Sequence, residues 1–291
     1  MKLTIVTINY NNADGLRKTM ESVFAQTCKE FEYIIVDGAS TDNSVEIIKE
    51  MSASLNDAMS RNKSLNDGMV FKWISEPDTG IYNAMNKGLK MAHGEYTLML
   101  NSGDYLVDER VIERILPELH TEDMIQGNTI LEYPDKTIRF RGYGRSNISF
   151  LDVMAANFPH QAMFIKLSTM VEYGYYDDSY KKGGDTYFLI TSLGLGNATY
   201  RYVDVDIANF DVNGITNDPK WQQIDREEDA RWYGEHISKR LWAMYQTVPK
   251  KIQIYDQLHK NKFIWKLTMG LVRMSEWLSP TEPNVKKEII K

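Results

Sequence analysis

The chain has 291 residues, 43% of them hydrophobic and 25% charged, the profile of a soluble globular protein with ample material for a core. A formal net charge of −6 excludes a globally basic nucleic-acid binder. The single cysteine, Cys28, excludes an internal disulfide framework and a multi-cysteine zinc site, and fits a reducing compartment.

The N-terminal stretch MKLTIVTINYNN has too short an apolar run for a signal peptide. No stretch approaches the roughly 20 apolar residues that span a bilayer. The expectation is a cytoplasmic protein that meets a membrane, if at all, only at its inner face.

In chain order, Leu3–Ile8 is an almost unbroken apolar run, as a strand covered on both faces requires. Gly15–Gln26 follows as a helix with Leu16, Met20, Val23 and Phe24 on one side. Strands are predicted at Phe31–Val36, Phe71–Ser75 and Tyr96–Leu100, and helices at Ser44–Met51, Ile81–Ala92 and Glu109–Leu119. The polar stretch Ser52–Gly68 reads as a helix extension plus a surface loop. Alternation of strand and helix argues for a parallel sheet with helices on both faces.

The second half changes character. Met124–Tyr133 and Thr137–Gly142 flank Pro134-Asp135-Lys136, a hairpin signal, and Tyr200–Asp211 is a further strand. Asp218-Pro219 reads as a helix start, and the pattern stays helical to Leu278 with a break near Pro249. No Pro/Gly/Ser linker divides the chain, so one α/β domain with a helical C-terminal appendage is expected.

Ligands of an open parallel sheet bind outside the carboxyl ends of its strands. Here those ends carry Asn9-Tyr10-Asn11-Asn12, Asp37-Gly38-Ala39-Ser40-Thr41-Asp42, Glu76-Pro77-Asp78-Thr79-Gly80 and Asn101-Ser102-Gly103-Asp104. Tyr10 suits packing against a base, Asp37 suits a ring or ribose donor, and Asp104 suits a divalent metal that bridges phosphates. Taken singly, Asp37, Ser40, Thr41 and Asp42 read more plainly as loop and helix-capping residues; convergence of four strand ends favours a site. A dinucleotide-binding Gly-x-Gly-x-x-Gly is missing after the first strand, as is a Walker A sequence, which disfavours both standard phosphate loops.

The array TIVTINYNN, IIVDGASTDNS, and ISEPDTGIYNAMNKGLKMAHGEYTLMLNSGD resembles glycosyltransferase family 2, of the GT-A fold. The likeness is dense over residues 1–110 and thinner to Asn217. It implies an inverting transfer of a sugar from a nucleotide-diphosphate donor, with uridine as the expected base, to the hydroxyl of a glycan or lipid-linked acceptor in surface polysaccharide assembly. It implies a GT-A catalytic domain over 1–217, its nucleotide-sugar half 1–110 and acceptor half 111–217, and a helical extension over 218–291. Thr7, Asn9 and Tyr10 would border the nucleoside, Asp37 the base, Asp78 the ribose and donor sugar, and Lys87 the phosphates. Asn101, Ser102, Gly103 and Asp104 fall on the family's metal motif, usually richer in carboxylates. Asp104 is the one carboxylate left to hold Mn²⁺ or Mg²⁺, and the ion is expected to arrive with the nucleotide.

Asp185, in YKKGGDTYFLI, matches the family's catalytic base; its plainer reading is a helix N-cap. In FPHQAMFIK, His160 and Gln161 would contact donor sugar or acceptor. Asn213, Gly214 and Thr216 lie where relatives carry a loop that closes over the diphosphate. The competing class is a nucleotide-sugar-binding regulatory or scaffold protein with weakened turnover. If Asn261–Leu278 is one helix, Ile264, Leu267, Leu271, Met274 and Leu278 share a face opposite Lys262, Lys266 and Arg273. Its occupants are its own domain or a dimer mate, which are favoured, or a membrane interface.

Overall fold

The computed structural model describes residues 1–61, 68–133, 135–155, 158–211, 219–245 and 247. Two compact units divide the chain, Met1–Trp232 and Tyr233–Lys291. The second contributes the end of one helix and the paired rings of Tyr233 and Trp242, with centroids 4.6 Å apart and planes tilted by 35°. The predicted diphosphate-loop residues Asn213, Gly214 and Thr216, the helix start at Asp218 and the amphipathic stretch 261–278 lie outside the described residues.

Four strands form the nucleotide-side half of the sheet: β1 (Leu3–Asn9), β2 (Phe31–Asp37), β3 (Val70–Ser75) and β4 (Tyr96–Met99). They run parallel in the order β3-β2-β1-β4, with Asn9 opposite Asp37 and Asp37 opposite Ser75. Every residue of β1, β2 and β4 is buried, which is why these segments read as continuous apolar runs. Helices α1 (Ala13–Phe24), α2 (Ser44–Arg61) and α3 (Ile81–Met91) make the crossovers. Asn12 starts α1 by accepting from the Gly15 N–H at 3.2 Å, and Leu16, Met20 and Val23 bury its inner stripe. Truncating a side chain buried this fully, Leu16→Ala for example, costs about 2–5 kcal/mol.

Beyond β4 the sheet changes direction. β5 (Tyr105–Leu106), β6 (Met124–Tyr133), β7 (Lys136–Phe140), β8 (Met163–Lys166) and β9 (Tyr200–Asp211) complete the order β3-β2-β1-β4-β8-β6-β9-β5, with β7 on β6. Pairs β4–β8, β6–β8, β6–β7 and β5–β9 are antiparallel, while β6–β9 is parallel. The sheet as a whole is therefore mixed, and the all-parallel pattern belongs to β1–β4. The expected hairpin is present, with Tyr133 opposite Lys136.

Where a helix was expected over Glu109–Leu119, α4 covers Val111–Ile115 and tightens into a 3₁₀ turn over Leu116–Glu118. Pro117 has no N–H to continue an α-helix, which explains the change. Short helices α5 (Phe150–Ala155), α6 (Leu167–Glu172) and α7 (Gly184–Leu189) follow, the last continuing as a π-helical stretch over Ile190–Leu195. α8 spans Pro219–His236. Among the described residues no helix is long and apolar enough to cross a membrane.

Candidate active site

The first two strand-end loops are locked to each other before any ligand is considered. Asp37 is fully buried, and its carboxylate accepts from Asn9 Nδ2 (2.8 Å), the Ser40 hydroxyl (2.5 Å) and N–H (3.0 Å), and the Ser75 hydroxyl (2.7 Å). Asn11 ties across by accepting from the Thr41 N–H at 2.7 Å, and Asp42 accepts from the N–H of Ala13, the first residue of α1, at 2.9 Å. The plainer capping and loop roles thus hold for Ser40, Thr41 and Asp42. Asn11 and Ala39 sit at φ 49° and 58°, backbone strain of the kind that collects at functional sites.

Above this base the crevice opens. A Cβ on Gly38 would lie 2.4 Å from Asp78 Oδ2 and 3.2 Å from Tyr10 Cδ2, so the bare glycine lets the ends of β1, β2 and β3 converge. Tyr10 is 66% exposed there and offers a flat ring to a planar ligand. Asp78 is held by the Gly80 N–H at 2.9 Å. Lys87 donates to the Pro77 carbonyl at 2.7 Å and pairs with Glu76 at 2.8 Å, so its ammonium braces the 76–80 loop. Thr7 is buried and its hydroxyl donates to the Leu100 carbonyl at 2.7 Å, behind the crevice rather than in it.

The Asn101–Asp104 turn closes the β4 end. Thr19 of α1 anchors it, accepting from the Gly103 N–H (3.0 Å) and donating to the Asp104 carbonyl (2.6 Å). Asn12 Nδ2 reaches the Ser102 carbonyl at 3.1 Å. Asp104 itself is 5% exposed. Two amide oxygens at neighbouring strand ends, Asn9 Oδ1 and Asn101 Oδ1, are buried with no hydrogen-bond partner. Such groups cost about 1–3 kcal/mol each when left unsatisfied.

The acceptor half delivers its residues from the other side. The turn His160–Ala162 leads into β8, whose Phe164 lies opposite Leu98 of β4; the antiparallel register brings His160 and Gln161 alongside Asn101. His160 Nε2 lies 3.0 Å from Asn101 Nδ2, and His160 Nδ1 lies 3.2 Å from Asp185 Oδ2. Gln161 is buried beside it. Asp185 is not a helix cap: Gly183 holds the N-cap position of α7 with no side-chain cap bond, and Asp185 follows in the first turn. Its carboxylate faces His160 and the Tyr82 hydroxyl, the latter at 2.9 Å.

Burial works against the charge on Asp185, but the His160 hydrogen bond and charge, the Tyr82 hydroxyl and the Thr186 N–H outweigh it and hold the carboxyl below its ordinary range. Burial likewise disfavours a charged His160, and the bond to Asp185, its charge and that of Asp104 raise the imidazole above its ordinary value. Asp185 is therefore ionised at neutral pH while 23% of its side chain remains exposed, an anion open to a proton donor.

Residues the sequence did not single out set this arrangement. Tyr82 projects from α3, and its hydroxyl also meets the Lys182 carbonyl. A Cβ on Gly184 would lie 2.7 Å from the Tyr82 ring, so the close approach needs glycine. Asn86, one helical turn on, clamps Tyr176 by donating to its carbonyl (2.7 Å) and accepting from its N–H (3.1 Å). Glu228 of α8 accepts from three successive backbone N–H groups, Lys181 (2.6 Å), Lys182 (3.0 Å) and Gly183 (3.1 Å), and so fixes the loop that leads into Asp185. The signal for Tyr82 and Asn86 lay in GIYNAMNKG; Glu228 had none.

A separate groove runs past Asp108, Arg114, Arg139, Asp204 and Asp206. Its arginines are already paired, Arg114 with Asp108 at 2.9 Å and Arg139 with Asp206 at 2.5 Å and Asp204 at 2.9 Å.

A parallel nucleotide-side sheet with a crevice across its strand ends, continued by antiparallel strands, is the arrangement of the GT-A fold. The family model described as Glycosyl transferase family 2 matches residues 4–176, and the chain belongs to that family. It is similar to a PGL/p-HBAD biosynthesis glycosyltransferase of Mycobacterium bovis, 26% identical over 218 residues that cover 74% of this chain and 78% of the relative. Among solved structures it is similar to S. aureus TarS 1-349 in complex with UDP, with TM-score 0.59, 16% identity, and 82% of this chain and 68% of that chain covered. It is also similar to the mannosyltransferase PcManGT from Pyrobaculum calidifontis in complex with GDP-Man and Mn2+, with TM-score 0.62, 13% identity, and 94% and 80% covered.

Proposed function

We propose that this glycosyltransferase moves a hexosyl group from a uridine-diphosphate donor to the hydroxyl of a glycan or lipid-linked acceptor, with inversion at the anomeric carbon. Its setting is surface glycan assembly at the cytoplasmic face of the membrane. The observation that carries this reading is the Asp185 carboxylate, ionised and held 3.2 Å from His160, which in turn touches the β4 metal-motif turn.

Asp185 takes the acceptor hydroxyl's proton as that oxygen bonds to the anomeric carbon and the bond to the diphosphate oxygen breaks. On the donor side, Tyr10 packs against the base, Asn9 offers its unpaired amide oxygen, and Asp78 faces the ribose and sugar. Asp37 acts through the Asn9, Ser40 and Ser75 cage, and Thr7 through the strand behind it. Lys87 holds the 76–80 loop beside the phosphates. Ser102 and Gly103 shape the turn, Gln161 lines the sugar side, and Asn213, Gly214 and Thr216 are assigned to the diphosphate.

The β4 turn fits a divalent cation in a limited way: the buried, unpartnered Asn101 Oδ1 and the buried Asp104 carboxylate are hard oxygen donors. Among the described residues no group of three or more His, Cys, Asp or Glu side chains is arranged to hold a metal. Asp104 and Asn101 would hold Mn²⁺ or Mg²⁺ together with the donor's phosphates, and the ion would neutralise charge on the leaving diphosphate.

The UDP complex of TarS supports uridine, and the GDP-Man complex of PcManGT names the alternative. Purified protein with Mn²⁺ and a panel of UDP-, GDP- and dTDP-hexoses tests the reading through release of the nucleoside diphosphate. Release from a UDP-hexose, with the transferred sugar of opposite anomeric configuration, is expected. Turnover of GDP- or dTDP-sugars alone would contradict the base assignment, and retention of configuration the mechanism.

A further inference from the structure

We propose that His160 is a positioning residue that joins the two halves of the site, aiming the Asn101 amide with one ring nitrogen and the Asp185 carboxylate with the other. The inference rests on Asp185 as the base. Ionised Asp185 is acceptor-only, so the contact at 3.2 Å requires a proton on His160 Nδ1. When the ring is neutral, that proton sits on Nδ1 and the bare Nε2 accepts from the Asn101 amide nitrogen, 3.0 Å away. The amide then turns its Oδ1 away from the ring, and that oxygen is the buried one without a partner. One imidazole thus orients two groups that come from β4 and α7.

Both ring nitrogens are committed, so none is left to bind sugar or acceptor directly. This departs from the ligand-contact role the sequence resemblance implies for His160. It also gives Asn101 a reason to be an amide. An aspartate there has no N–H to give to Nε2, whereas asparagine supplies the donor on one side and an oxygen on the other. Placement follows from the fold. The β4–β8 register sets His160 across from Asn101, and the Tyr82 and Glu228 contacts set the start of α7 opposite the ring.

Near-isosteric variants separate this role from a purely structural one. His160→Asn keeps an amide donor near the Nδ1 position, His160→Gln reaches only toward Asn101, and His160→Ala keeps neither. The probe is the UDP-hexose most readily hydrolysed in Mn²⁺, read as kcat and KM for UDP release, with UDP binding measured by calorimetry. His160→Ala and His160→Gln are expected to lose about tenfold or more in kcat with KM and UDP affinity within about threefold, and His160→Asn to recover part of the loss. In the Asp185→Asn background His160→Ala is expected to cost much less in kcat than in the wild type, because the part of its effect that acts through Asp185 is already removed. A rise in KM at unchanged kcat, or His160→Asn no better than His160→Ala, would overturn the proposal.

A readout that needs no turnover accompanies these. Long-range ¹H–¹⁵N spectra of histidine-labelled protein, at a pH where the ring is neutral, are expected to show His160 as the Nδ1–H tautomer and Asp185→Ala, which leaves Nδ1 no acceptor, to abolish that preference. An Nε2–H tautomer in the wild type would contradict the proposal. Transfer retained by Asp185→Asn would instead remove the base assignment on which the proposal rests. Inactive Asp185→Asn beside fully active His160 variants would remove the coupling alone.

Discussion

The Tyr82 hydroxyl meets Asp185 Oδ1 at 2.9 Å across 103 positions of sequence, so a residue of the nucleotide-side half steadies the base of the acceptor half. Because that hydroxyl helps to hold the carboxyl down, Tyr82→Phe should raise the apparent pKa of the base. The acid limb of the kcat/KM profile then moves to higher pH, with a loss of about tenfold near its midpoint. A pH–rate profile of the variant checks the direction; an acid limb that moves to lower pH would contradict it.

The glycine before Asp185 carries a steric prediction. In Gly184→Ala the new Cβ would lie 2.7 Å from the Tyr82 ring, so the ring or α7 must shift. We expect a stability loss of about 1–3 kcal/mol, a fall in Tm of about 2–4 °C per kcal/mol, and a kcat loss that exceeds any change in UDP affinity. Thermal melts and calorimetry on one preparation give both numbers.

Glu228 makes the companion test from α8. Its three backbone donors all point at carboxylate oxygens, and Glu228→Gln replaces one of those oxygens with an N–H donor that faces another donor. A loss of about 1–3 kcal/mol in stability is expected, together with a lower kcat. Unchanged turnover would mean that the 181–183 loop does not set the position of Asp185.

At the opposite end of the strands, Glu32 is a stability group. Burial favours its neutral form, but Lys72 (2.8 Å), Thr4 (2.7 Å) and the His93 N–H (2.7 Å) and ring outweigh it and lower its pKa. A lowered folded-state pKa means that its stabilisation is complete above the unfolded value near 4.5 and drains away as pH falls below it. Glu32→Gln should cost about 2 kcal/mol at neutral pH, and the gap to wild type should narrow as urea melts are taken into acid. A gap that widens there would reverse the sign.

Much of the nucleotide-side architecture was legible because β1, β2 and β4 are buried on both faces and therefore mostly apolar. Asp104 and the four strand ends were legible as polar breaks at the ends of apolar runs, whereas Asp185 stood out only through the family resemblance. What the chain order hid is what tertiary contact decides. Lys87 reads as a phosphate ligand until Glu76 and the Pro77 carbonyl claim it, and Thr7 reads as crevice-facing until Leu100 accepts its hydroxyl. Tyr82 and Glu228 act on Asp185 or its loop from other helices, and a periodicity that places them on a buried face does not say what lies opposite. The antiparallel strands β5 and β8 are too short, at two and four residues, to show a period at all.

The claim that Asp185 is the base of a sugar transfer is tested most directly by Asp185→Asn, with UDP-hexose binding followed by calorimetry and transfer followed by UDP release under the same Mn²⁺ concentration. Donor affinity is expected to stay within about threefold of wild type and turnover to fall by about 10²–10⁴. Turnover within about tenfold of wild type at unchanged affinity would contradict it.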